Sequence, residues 1–138
     1  MRDRLSKLLS VKRIKEKQSM QALARAQQAT SVAQKNFDDL CEMSSDYREK
    51  HLSVPQISPL MLKQFRQFYN QLAQAKTVQQ AQVEQAQMAE QTVRDYLTTH
   101  IYERRGVEKV VRKRDQQHRT AQKRKARRTQ SSTPKSFV

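Results

Sequence analysis

Metal binding or nucleophilic attack would have to come from three histidines and one cysteine. His51, His100 and His118 are far apart, and none is joined by cysteines and carboxylates in a set that builds a metal site. Asp38, Asp39 and Glu42 form an acidic cluster, read most simply as a solvated face. Cys41 borders an apolar seam and reads as a packed thiol rather than a nucleophile. The only glycine is Gly106, so no glycine-rich loop can cradle a phosphate. This pattern argues against an enzyme and implies no cofactor and no metal.

The chemistry left is anion binding. The chain has 138 residues and a formal net charge of +15. Residues 2–17 carry seven basic and two acidic side chains, residues 18–103 eight and nine, and residues 104–138 thirteen and two. The excess lies at the two ends. It suits nucleic acid, acidic lipid or an acidic protein surface. Arg2, Arg4 and Lys7 also crowd a helix N-terminus, where the macrodipole disfavours cations, unless a partner supplies negative charge.

A single cysteine allows no internal disulfide and fits a reducing compartment. No apolar run approaches a membrane span. Residues 1–17 hold too short an apolar run for a secretory leader, and Asp3 and Glu16 argue against a transit peptide. They read as the start of the mature chain.

The elements that position these charges follow from composition. One Gly, three Pro, no Trp and 36% apolar residues, many of them Ala, rule out turn-rich sheet folds and a thick core. Ala, Gln, Lys and Arg favour helix. Pro55 and Pro59 break the chain, and Ser58-Pro59 is a good helix start. The spacing predicts helices over 3–50 and 60–128, a turn over 51–59, and a disordered tail over 129–138.

Alternating steps of four and three then define two seams. From Met61 onward, through Phe65, Phe68, Leu72 and Ala75 to Ala121, twelve of eighteen positions are apolar. From Leu5 through Leu8, Lys12 and Lys15 to Met43 and Tyr47, nine of thirteen are. Such spacing argues coiled coil, and a short turn makes it antiparallel. The expected layers pair Tyr47 with Phe65, Met43 with Phe68, Leu40 with Leu72, Asn36 with Ala75 and Leu5 with Val107. Lys12, Lys15, His100 and Glu103 make the far end polar. On this register α-helical cover ends near Glu108, and a bare basic single helix follows. Gly106 sits there either as a hinge or as a tolerated weak point. The fold class is therefore all-α: a long antiparallel two-helix coiled coil with a C-terminal single-helix overhang and a disordered tail.

Tyr47, Phe65, Phe68 and Tyr69, with Leu60, Leu62 and Leu72, exceed what a two-helix seam can cover. The remainder is a candidate protein-docking surface.

With these features in place, the chain resembles the FliJ proteins of the bacterial flagellar export apparatus and their injectisome counterparts. The stretches YREKHL (47–52), QFRQFYNQLAQA (64–75) and ERRGVEKVVRKRDQQHR (103–119), followed by AQKRKARR, carry the resemblance. It implies a cytoplasmic, non-enzymatic stalk peripheral to the inner membrane. Its partners would be a hexameric export ATPase, the cytoplasmic domain of the export-gate membrane protein, and export chaperones. Membrane association would run through these partners. The implied gate-binding face falls on Asn36, Leu40, Met43, Tyr47, Phe68, Leu72, Ala75 and Gln79, with Met43 where the family pattern has an aromatic. The implied ATPase-pore contacts are Arg4, Leu5, Leu8, Arg13, Arg104, Arg105, Lys109, Arg112 and Arg114. The resemblance leaves flagellar and injectisome systems undistinguished.

Two other classes stay open. A nucleic-acid-binding coil has basic enough ends, but no aromatics interleave with the basic runs, which disfavours it. A membrane-surface helix would use Leu5, Leu8, Leu9, Val11 and Ile14 among Lys and Arg. Salt dependence separates the first from the stalk, and liposome flotation the second.

Overall fold

The structure, a computed structural model, describes residues 2–52 and 56–132. Two long helices, α1 (Arg2–Leu52) and α2 (Pro59–Ser132), pack against each other as a hairpin, with no strand among the described residues. α1 thus runs into the expected turn through Leu52, and residues 53–55 lie outside the described residues. The expected tail starts as helix: α2 continues through Ser132, and 133–138 are outside the described residues.

Local chemistry explains the helix lengths. Ser58 Oγ accepts the Met61 N–H at 3.1 Å, and the Ser58 carbonyl accepts the Leu62 N–H at 3.0 Å. Ser58 is therefore the N-cap, with Pro59 as the first helical residue. Inside the helices, the Ser10, Thr30, Thr77 and Thr92 hydroxyls donate to carbonyls one turn back, so they are satisfied without breaking the helix. Gln34 with Asp38, and Gln91 with Asp95, bridge successive turns at 3.0 and 2.9 Å.

The chain divides into two units, Ser19–Leu97 and Met1–Gln18 with Thr98–Val138. In the first, Leu72 and Val83 are the only buried side chains among the described residues, at 5% and 7% exposure. Thirteen of the twenty expected seam positions in this unit are covered, and six of the other seven are replaced by the next residue along the chain. Leu40, Tyr47, Phe65, Leu72, Ala86 and Val93 are covered as expected. Ala29, Asn36, Met43, Gln82, Ala89 and Tyr96 are exposed, whereas Thr30, Phe37, Ser44, Val83, Glu90 and Leu97 are covered instead. Met61, expected to open the second seam, is also exposed. Hydrophobicity accounts for part of this: Phe37 and Val83 are buried more favourably than the polar Asn36 and Gln82. The rest of each helix face follows these two in phase, so Ser44 is covered in place of Met43 and Leu97 in place of Tyr96.

The second unit shows the same displacement. Leu9, Glu16, Arg104 and Val111 are covered, whereas Leu8, Lys15, Glu103 and Val110 are exposed. Its register is also moved by about one helical turn. Leu5, expected on Val107, shares a groove with Val111, beside Ser6, Arg114, Asp115 and His118. Cover therefore ends after Asp115 rather than near Glu108, and every residue over 116–130 is exposed.

Gly106 is helical, and a Cβ built on it meets nothing within 4 Å. Nothing there requires glycine. Gly106→Ala should raise stability by ~1 kcal/mol in denaturant unfolding followed by circular dichroism; a loss would restore the hinge reading.

Candidate functional site

Tyr47 is the hub of an aromatic cluster in the Ser19–Leu97 unit. Its ring centroid lies 5.4 Å from Phe65, 4.3 Å from Phe68 and 5.4 Å from Tyr69. The Tyr47–Phe65 layer is as expected. His51, assigned to the turn, instead joins the cluster at 3.8 Å from Phe65 and 6.0 Å from Tyr69. The signal was present: His51 lies one seam step beyond Tyr47. His51 Nε2 and Tyr69 Oη are buried, without a hydrogen-bond partner among the described residues.

The implied gate-binding residues all fall in this unit but differ in access. Asn36 and Met43 are exposed, Leu40, Tyr47, Phe68, Ala75 and Gln79 are half-buried, and Leu72 is core. Gln79 Nε2 is occupied, donating to the Ala33 carbonyl at 3.2 Å. Met43, Tyr47 and Phe68 line an open groove rimmed by Asp39, Glu42, Asp46 and Lys50. Leu60 and Leu62 are exposed at 66% and 37%, so apolar surface near the turn is left uncovered. The Asp38, Asp39 and Glu42 cluster is exposed, and Cys41 is a half-buried free thiol. No group of three metal-binding side chains occurs among the described residues.

In the other unit, the polar seam positions are held by charge. Arg104 donates to both Glu16 carboxylate oxygens, from Nε at 2.7 Å and Nη2 at 3.2 Å, and to Glu108 from Nη1 at 2.9 Å. Lys12 Nζ donates to Glu103 at 2.9 Å, and Arg13 to Glu108 at 3.3 Å. His100 approaches Glu103 at 3.9 Å, a lone pair of groups rather than a ligand set. The hydrogen bond from Arg104 holds the Glu16 carboxyl below the usual carboxylate range. Lys12 does the same for Glu103, and Arg13, then Arg104, for Glu108. Glu16 in turn holds Arg104 above its ordinary value.

This changes the roles open to the implied pore contacts. Arg13 and Arg104 are engaged within the chain. Arg4, Arg105, Lys109, Arg112 and Arg114 are exposed and make no ion pair among the described residues. Leu5 is half-buried against α2, and Leu8 is exposed.

A two-helix coil with an aromatic cluster and a basic end is a geometry, not yet a family. The family model described as "Flagellar FliJ protein" matches residues 1–129. The chain belongs to the FliJ family. The match spans all three stretches that carried the resemblance and names the flagellar system rather than the injectisome. FliJ proteins are non-enzymatic components of the flagellar export apparatus, and this chain associates with that apparatus. Searches of curated proteins and of solved structures returned no match. No described helix of this FliJ-family chain is long and apolar enough to cross a membrane.

Proposed function

We propose that this FliJ-family chain is a non-enzymatic stalk that couples the hexameric export ATPase to the export gate, on the cytoplasmic side of the inner membrane, and assists export chaperones. The observation that carries this reading is the bare part of α2. Residues 116–130 are exposed on every face and carry six basic and no acidic side chains. A short, self-repelling helix of this kind is marginal in water. An enclosing acidic partner, such as a ring lumen, neutralises it from all sides.

The test is stimulation of a hexameric flagellar export ATPase. Reversing Arg119, Lys123, Arg124 and Arg127 to Glu changes the bare segment itself, spares the Arg104 ion pairs and should reduce stimulation to background. Normal stimulation by that variant overturns the stalk reading. On the gate side, the exposed Met43 separates docking from folding: Met43→Ala should weaken binding to the gate protein's cytoplasmic domain at unchanged melting temperature.

A further inference from the structure

The ion pairs that close the terminal unit also purify its outer surface. Glu16, Glu103 and Glu108 are drawn into contacts with Arg104, Lys12 and Arg13. On α1, the covered residues Leu5, Leu9, Lys12 and Glu16 lie on one face. At about 100° per residue, Lys7, Val11 and Ile14 fall on the face turned away from α2, with Arg4, Leu8 and Lys15 along one flank of it. Leu8, Val11 and Ile14 are exposed at 42%, 45% and 56%, and Arg4, Lys7 and Lys15 are exposed beside them. No carboxylate occurs over residues 4–15.

Three branched apolar side chains in one stripe, flanked by cations and free of acids, match the interface of an anionic bilayer. The apolar groups enter the acyl boundary while the long basic chains reach the headgroups. Each cation near such a surface adds attraction. A second copy of the chain fits poorly, because apposing this face with itself brings like charges together. An acidic protein would satisfy the cations but give no reason for the apolar stripe to stay uncovered. We propose that the outer face of α1 over residues 4–15 docks on anionic lipid headgroups, so the chain contacts the membrane directly. This goes beyond the stalk reading and needs no ATPase; Arg4 and Leu8 are also implied pore contacts, so lipid docking and pore insertion would alternate rather than coincide.

The chain has no tryptophan, so an introduced one reports depth cleanly. Full-length protein carrying Val11→Trp is mixed with vesicles of equimolar phosphatidylglycerol and phosphatidylcholine. Its emission should shift to the blue and be quenched by brominated acyl chains. Lys123→Trp, on the bare part of α2, should keep a water-like emission. In flotation, wild type should rise with these vesicles and not with phosphatidylcholine alone. The double variant Val11→Asn, Ile14→Asn should lose most of that binding while remaining helical by circular dichroism. Flotation undiminished in the double variant, or an unquenched Trp at position 11, overturns the proposal and leaves only diffuse attraction by the basic residues. A dimer in sedimentation that the double variant converts to monomer, with flotation unchanged, assigns the face to a second copy instead. ATPase stimulation is measured separately, so failure here does not touch the stalk reading.

Discussion

Leu72→Ala is expected to destabilise the chain by about 2–4 kcal/mol, the range for truncating a buried leucine. Leu72 is the most buried apolar residue of the Ser19–Leu97 unit, and that unit has little else in reserve. The matched control is Met43→Ala. Met43 is as large an apolar side chain and lines the groove beside Tyr47 and Phe68, yet it is 52% exposed. Its truncation should stay within about 0.5 kcal/mol. Denaturant unfolding of the two variants side by side decides the packing frame. Comparable losses would return Met43 to the core and undo the one-residue displacement.

The second large effect is electrostatic and confined to the terminal unit. Arg104→Glu would leave three carboxylates, at 16, 104 and 108, where a guanidinium now joins two. The N-terminal part of α1 should detach, read as loss of amide protection over residues 5–17 by about tenfold or more. Adding Glu16→Arg should recover part of this but not all, because Glu108 still faces position 104. Acid should mimic the reversal. Carboxylates held below their unfolded values stabilise above the ordinary range and lose that contribution as pH falls through it. Protection of residues 5–17 should therefore decline below pH ~4.5, while the aromatic cluster has no such dependence on these acids. High salt should weaken the same pairs. Equal loss in both units would mean the ion pairs do not define a separate element.

These results bear on what was legible in advance. The break ahead of Pro59, the cap at Ser58 and two helices with 3-4 spacing were all readable, because each rests on strong local chemistry. The phase within the heptad was not, because the expected frame accepted Asn36 and Gln82 beside Phe37 and Val83. Favouring the apolar neighbour would have moved these two positions by one residue, but it would not have moved Met43 to Ser44 or Tyr96 to Leu97. With the register one turn away, Lys12, Lys15, His100 and Glu103 looked like a weak polar end, and the cross-helix pairs of Lys12 with Glu103 and Glu16 with Arg104 went unseen. Opposite charges brought near each other by the corrected register were the missing clue. Among the candidate contacts, the exposed cations were identifiable from charge alone. That Arg13 and Arg104 are engaged within the chain follows only from three-dimensional placement.

The narrow seam has a consequence for how such chains can change length. In each unit, covered positions recur with a period of seven, and partners are fixed by register rather than by a broad core. Inserting one residue in either helix rotates everything beyond it by about 100° and faces polar positions inward. Inserting a heptad in one helix keeps the faces but slides every later partner past its mate, separating Glu16 from Arg104. Only matched heptads, added to or removed from both helices at the same level, preserve face and partner together. Length variation in a hairpin of this design is therefore quantised, and the two helices must lengthen or shorten in concert.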